Sequence, residues 1–341
     1  MNVVSDIIYN VAILFIMMIP GIILKKSGMV SDGFGKGLSN LVLYIAQPSL
    51  IVLAYIRDFD KEILINSIYV LILSMAAHAI FAAIAVPTFK KAPDGEARML
   101  KFSTIFANAA FMGIPLIKAV LEEQYPGATL YASIYNISFN LFLWSLGVNI
   151  CTKGKDVNRD GVDDYEEVSQ LQRPPVDDDV VVNASGSILK AIIHPVTIAA
   201  LIGLAFFILP INSYVPDIVM DSLTKLSNLV APLSMVVIGL RLPDISFKGV
   251  HKDKYMYIFL GLRHFALPLI MIAIIKLLGL AGLVLSPVIT LVIIILAATP
   301  AATSATMFAE KFNCDSAYVS KLVAISTILS IATIPLVLLL V

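Results

Sequence analysis

Apolar runs of membrane-spanning length follow one another along the whole chain, separated mostly by short polar connections. They predict ten helical spans, at 7–24, 34–56, 63–86, 99–121, 128–151, 188–209, 219–241, 255–278, 283–309 and 317–341. Most hold about the 20 residues that a ~30 Å hydrocarbon core requires. The polar string Glu122-Glu123-Gln124-Tyr125-Pro126-Gly127 keeps the fourth and fifth spans apart. The longest connection divides the spans five and five: a first half at 1–151, an acidic linker at 152–187 and a second half at 188–341. With an odd number of spans in each, two repeats must have opposite topology in the membrane. A shift of 187 residues sets Gly113–Pro115 on Pro300–Ala302, Glu123 on Glu310, Tyr131 on Tyr318 and Ser133 on Ser320. Pro48 and Pro232, in the second and seventh spans, sit three residues off that register. The expected fold is all-α and polytopic: ten transmembrane helices in two inverted five-helix repeats.

Two spans are interrupted near their middles. The fourth carries Asn108-Ala109-Ala110-Phe111-Met112-Gly113-Ile114-Pro115-Leu116, and the ninth Ala298-Thr299-Pro300-Ala301-Ala302-Thr303-Ser304. A proline has no N–H to give and crowds the preceding turn, so Gly113 and Pro115 are expected to leave backbone groups unpaired. Inside hydrocarbon that survives only where protein or a wet cavity satisfies those groups, and paired breaks in two halves mark a transporter's binding site. Ordinary proline kinks are the alternative.

Composition fixes the class. Hydrophobic residues make up 59% of the 341, charged residues 14%, and the mean hydropathy is +0.91, more apolar surface than a soluble domain can hide. The formal net charge of zero gives no reason to expect a nucleic-acid partner. No basic stretch precedes the first apolar run, so no cleaved signal peptide is expected. Sixteen lysines and arginines fall in the odd-numbered connections or at the span ends that border them; three, Arg57, Lys61 and Lys311, are read as lying in even-numbered ones. Cations favour the cytoplasmic side, which makes the odd connections cytoplasmic and places both termini outside a multi-pass chain of the cell (plasma) membrane. On this topology Cys151 and Cys314 are expected at opposite ends of the bilayer, unable to pair.

The string Asn108-x-x-x-Met112-Gly113-Ile114-Pro115-Leu116-x-Lys118-Ala119 resembles the fourth-helix motif of the auxin efflux carrier family. Thr299-Pro300, followed by Phe308-Ala309-Glu310-Lys311-Phe312-Asn313, resembles the ninth-helix motif of the same family. That family includes plant auxin exporters and bacterial malate and malonate permeases, and the short central connection is closer to its microbial branch. The resemblance implies a fold like that of sodium/proton antiporters, with helices 4 and 9 crossing at their broken centres. It also implies a scaffold of helices 1, 2, 6 and 7, a moving unit of helices 3–5 and 8–10, and a homodimer. Asn108 matches the family's crossover asparagine, which contacts substrate; packing between helices is its other reading.

The site residues follow from this chemistry. Thr299 before Pro300 reads as an N-cap with proline at the first helical position, and Pro115 is similarly placed to open a half-helix. Each such N-terminus presents free N–H groups and about half a positive charge, a setting for a carboxylate. Asn108, Thr303, Ser304 and Thr306 offer side-chain hydrogen bonds. Arg263 lies nine residues beyond Lys254, ~13 Å into the membrane at 1.5 Å per residue. It either takes a second carboxylate of the substrate or pairs with a structural carbonyl or acid. Asn136 and Asn140, four residues apart, share one face of the fifth span and either line the path or hold helix 4 to helix 5. His78 is a candidate for proton coupling or a packing histidine, and His264 faces away from Arg263. Lys321 reads as snorkelling near an outer end, and Asp6 as an outward-side charge.

Within the linker, Asp156, Asn158, Asp160, Gly161, Asp164 and Glu167 match a calcium-loop spacing, although Asp163 occupies the usual aliphatic position. A solvated acidic linker is the plainer reading. The expected function is secondary transport of a small organic anion, a malate-like dicarboxylate or an auxin-like carboxylate, by alternating access of elevator type. No cofactor is expected, apart from calcium at that loop; the coupling ion, proton or sodium, is left open. The rivals are a calcium-regulated membrane sensor and a membrane-embedded enzyme; four scattered histidines without a catalytic motif argue against the enzyme.

Overall fold

A computed structural model describes residues 3–31, 33–152, 193–209, 214–245 and 250–341. Among these residues the secondary structure is helical. Seven helices are long and apolar enough to cross a membrane: α1 (Ile8–Lys26), α2 (Phe34–Tyr55), α3 (Lys61–Thr88), α6 (Ala128–Thr152), α8 (Asp217–Asp244), α9 (Lys254–Leu280) and α12 (Ser316–Leu338). Shorter apolar helices stand between them: α5 (Ala109–Leu121), α7 (Pro195–Ile208) and α10 (Pro287–Ala298). Two half-length helices complete the interrupted spans, α4 (Asp94–Ile105) before α5 and α11 (Ser304–Lys311) after α10. The chain is thus a polytopic helical membrane protein.

Helix starts follow ordinary capping chemistry. Asp60 accepts from the N–H groups of Glu62 and Ile63 ahead of α3, and Asp253 from those of Tyr255 and Met256 ahead of α9. Asp315 caps α12 through the N–H of Tyr318. In the connection before α6, the Glu122 carboxylate accepts from Gly127 and Thr129, while Gly127 takes a φ of 109°, where a side chain would be strained.

Three helices widen into a π turn immediately before a proline: Val42–Ala46 before Pro48, Ala109–Gly113 before Pro115 and Leu262–Ala266 before Pro268. A proline ring collides with the carbonyl four residues earlier, and one wider turn relieves that collision without ending the helix.

The helices sort into two packed groups. In one, α8 lies on α1 and α7 lies on α2. The first contact is backbone against backbone: a Cβ at Gly21 would collide with the Val236 carbonyl, and one at Gly239 with that of Met18. Gly203 in α7 admits the Tyr55 ring, which would lie 2.8 Å from a Cβ there. Small residues permit such approach where lipid leaves no hydrophobic force to draw helices together. In the other group α3 packs on α6 and α4, α9 on α10, and α12 on α4, α10 and α11. Its centre is α10, whose residues from Val292 to Ala298 are all buried. A helix apolar on every side belongs in such a centre.

One expectation is corrected at the α4 end of this second group. Arg98 donates to the Cys151 carbonyl at 3.0 Å and reaches Cys314 Sγ at 3.6 Å, and Cys314 Sγ itself lies 3.7 Å from the Cys151 carbonyl. Cys151 and Cys314 therefore share one end of the protein. The connection after the ninth span is an odd one, so Lys311 moves to the cation-rich side. Lys321 moves with it: it borders a shallow pocket with Glu96, Lys252, Asp253 and Tyr318 rather than an outer end. Partial burial, then the charges of Asp253 and Asp315, hold the Glu96 carboxyl above its usual range.

Candidate functional site

The two interrupted spans meet at their breaks. α4 closes at Ile105 and α10 at Ala298, and the residues beyond each run antiparallel to one another. Asn108 N donates to Pro300 O at 2.7 Å, Ala302 N donates to Phe106 O at 2.9 Å, and Ala107 stands opposite Ala301. Ala301 N reaches Ser326 Oγ at 3.2 Å. Each break supplies partners for backbone groups that the other leaves open, the condition for irregular chain at membrane depth. Pro300 fits because its position in this short ladder requires a carbonyl and no N–H.

Two details differ from the sequence expectation. The first break lies at Phe106–Asn108, ahead of Gly113 and Pro115. Those two residues sit inside α5, where the π turn absorbs Pro115 and Asn108 O accepts from both Met112 N and Gly113 N. The absence of a side chain at Gly113 serves packing instead: a Cβ would stand 2.5 Å from Leu296 Cδ2 and 3.4 Å from Thr299 Cγ2. The ladder therefore sets Phe106–Asn108, not Gly113–Pro115, beside Pro300–Ala302. Second, Thr299 does not open a helix. It closes α10, its hydroxyl donating to Leu296 O at 2.8 Å, while Thr303 holds the N-cap position of α11 without a side-chain capping bond.

Arg263 ties the break together. It lies in the π turn of α9, is 0% exposed, and commits all three guanidinium nitrogens to backbone carbonyls. Nε donates to Thr299 O at 3.0 Å, Nη1 to Thr104 O at 2.9 Å, and Nη2 to Ala297 O. These carbonyls belong to the final turns of α4 and α10, where helices lack intrahelical donors and carry partial negative charge. Of its two sequence readings, the geometry has the carbonyl partner.

On the other side of the ladder, polar atoms are buried without partners. Asn108 Nδ2, Thr303 Oγ1 and Ser304 Oγ make no hydrogen bond. They stand at the starts of α5 and α11, whose first-turn N–H groups also lack intrahelical acceptors. On α6, Asn136 Oδ1 and Asn140 Nδ2 are likewise buried and unpaired. Unpaired polar atoms in a dry interior are costly, and three of these five stand at the starts of two helices.

Three further residues enter the site that the sequence reading passed over. Gln47, fully buried in α2, donates Nε2 to Ala110 O at 2.6 Å. Ser326 supports the ladder as described. Arg241, at the end of α8, donates Nη1 to Thr303 O at 3.0 Å and to Thr306 Oγ1. A glutamine inside an apolar run ahead of Pro48 was a visible signal. Arg241, the last residue of the seventh span, was hidden because it counts equally well among the cations of the connection that follows.

The remaining candidates make no hydrogen bond to the ladder or lie outside the described residues. His78 Nδ1 lies 2.7 Å from Ser74 O and 3.3 Å from Ser138 Oγ, with the Tyr135 and Phe142 rings close around it. His264 Nδ1 meets Thr333 Oγ1 at 2.9 Å, joining α9 to α12. The calcium-loop residues Asp156, Asn158, Asp160, Asp164 and Glu167 lie outside the described residues.

The sequence profile of a family described as membrane transport protein matches residues 6–338. An uncharacterized transporter of Methanocaldococcus jannaschii is 23% identical over 242 residues, covering 70% of each chain.

Proposed function

The chain belongs to the membrane transport protein family, that of the auxin efflux carriers, and on that premise we propose that it is a secondary carrier of small organic anions. Transport itself follows from the family; the substrate class rests on the crossover. The observation that carries it is the convergence of Asn108 Nδ2, Thr303 Oγ1 and Ser304 Oγ, all unpaired, at two half-helix N-termini. N–H donors and the positive ends of helix dipoles favour a carboxylate there. Asn108, Thr303 and Ser304 contact it, Asn136 and Asn140 line its approach, and Gly113, Pro115, Thr299 and Pro300 shape the crossing. A malate-like dicarboxylate is the first substrate, an auxin-like monocarboxylate the second.

The mechanism is alternating access of elevator type. The group of α1, α2, α7 and α8 is the static scaffold, and the group carrying both breaks moves as a unit. The halves are inverted repeats with both termini outside the cell membrane, and two copies associate through their scaffolds. Purified protein in liposomes should take up labelled malate down an imposed gradient and exchange it for unlabelled malate. Uptake no faster than in empty liposomes, for malate and indole acetate alike, would defeat the proposal. Topology has its own test: single cysteines at Lys90 and Lys252 should be labelled only from the cytoplasm, and one at Tyr214 only from outside. Labelling of Lys90 and Tyr214 from the same side would contradict the inverted arrangement.

A further inference from the structure

Arg263 and Arg241 both bond to the second break and its flanking turns, and their donors are used differently. Arg263 has no exposed surface and each of its nitrogens already serves a carbonyl, so taking an anion would strip the ends of α4 and α10 of partners. Arg241 is half-buried and engages only Nη1, leaving Nε and Nη2 without a hydrogen bond among the described residues. No carboxylate there lies within ion-pair distance of it, though the negative charge of Glu310 acts on it. Its bonds go to the N-cap residue and first turn of α11, beside the unpaired hydroxyls of Thr303 and Ser304. One helical turn earlier, Val237 shares a small apolar cluster with Phe111 of the first turn of α5, and Ala110 packs against that cluster. Arg241 therefore faces the region where both half-helices begin.

We propose that Arg241 is the specificity-determining residue of this site, holding the second carboxylate of a dicarboxylate whose first carboxylate lies against Asn108 and the start of α11. The inference rests on the crossover being an anion site and deepens that reading. A guanidinium with two free N–H directions suits a carboxylate's paired oxygens, whereas a monocarboxylate leaves nothing for it to bind. Arg241 belongs to the scaffold group and Thr303 and Thr306 to the other, so a bound dicarboxylate takes over a cation that otherwise links the two groups. Substrate thereby replaces a contact across the surface on which they slide.

The test compares malate with lactate, which lacks the second carboxylate, by equilibrium binding to purified full-length protein. The wild type should bind malate more tightly. In Arg241→Gln, which removes the charge but keeps a polar side chain, malate binding should fall roughly ten- to a hundredfold, and lactate binding should hold. Arg241→Lys, retaining charge without the fork, should fall between, and serves alone if the glutamine variant does not elute as a single species. Equal losses for both ligands, or an undiminished malate preference in both variants, would overturn the role of Arg241 while leaving the crossover site standing. A wild type that binds no carboxylate would overturn the crossover reading itself, and Arg241's role with it.

Discussion

Arg263→Met is expected to destabilise the protein more than any other single change in the crossover. Methionine fills much of the volume but donates nothing, so the carbonyls of Thr104, Ala297 and Thr299 lose their Arg263 donors at the buried ends of α4 and α10. Leaving a buried acceptor unsatisfied costs about 1–3 kcal/mol, and three are left together. Replacement of a membrane arginine by an apolar residue ordinarily relieves a desolvation penalty. Here the lost partners outweigh that relief, because the ladder between Phe106–Asn108 and Pro300–Ala302 depends on both half-helices ending in place. A fall in melting temperature of roughly 10 °C or more is expected in detergent, read from the loss of monodisperse protein on heating. Arg263→Lys keeps the charge but not the planar fork, and should lie between. A methionine variant as heat-stable as the wild type would show that the three carbonyls find other donors, and Arg263 would then be free for another task.

That brace also marks where the sequence stops being informative. Arg263 could be placed near mid-membrane by counting from Lys254, yet its partners come from α4 and α10, far along the chain, and no local pattern names them. The interruption of the fourth span was legible as an event and misplaced in position. Glycine and proline draw attention to Gly113 and Pro115, but a π turn accommodates that proline, and the break forms at Phe106–Asn108 because Pro300 and Ala302 offer partners there. Thr299-Pro300 was legible as a break in the ninth span. Its direction was not, since a threonine before proline looks like a helix start, and only the Leu296 carbonyl shows that it ends one. Helix starts at Asp60, Asp253 and Asp315 depend on neighbours two or three residues away and need no tertiary information. Cys151 and Cys314 show the cost of miscounting a single connection, which sent two adjacent thiols to opposite faces.

Asn108 presents the opposite case to Arg263: large in function, small in stability. Its backbone makes the ladder and is retained on substitution by alanine, while its Nδ2 has no partner to lose. Asn108→Ala should therefore remove one buried, unsatisfied donor and leave folding nearly unchanged. If that donor serves a carboxylate, its loss costs ~1.5–3 kcal/mol of binding, which is roughly ten- to a hundredfold in affinity. The two arginines give the contrast that makes this informative: Arg263→Met should fail in stability, Arg241→Gln in the choice between one carboxylate and two, and Asn108→Ala in both ligands at once.

The most direct measurement is calorimetric titration of malate into purified wild type and Asn108→Ala at matched monodispersity and melting temperature. The crossover account predicts binding in the wild type and a dissociation constant raised roughly ten- to a hundredfold in the variant. An equally stable Asn108→Ala protein that binds malate with wild-type affinity would contradict it.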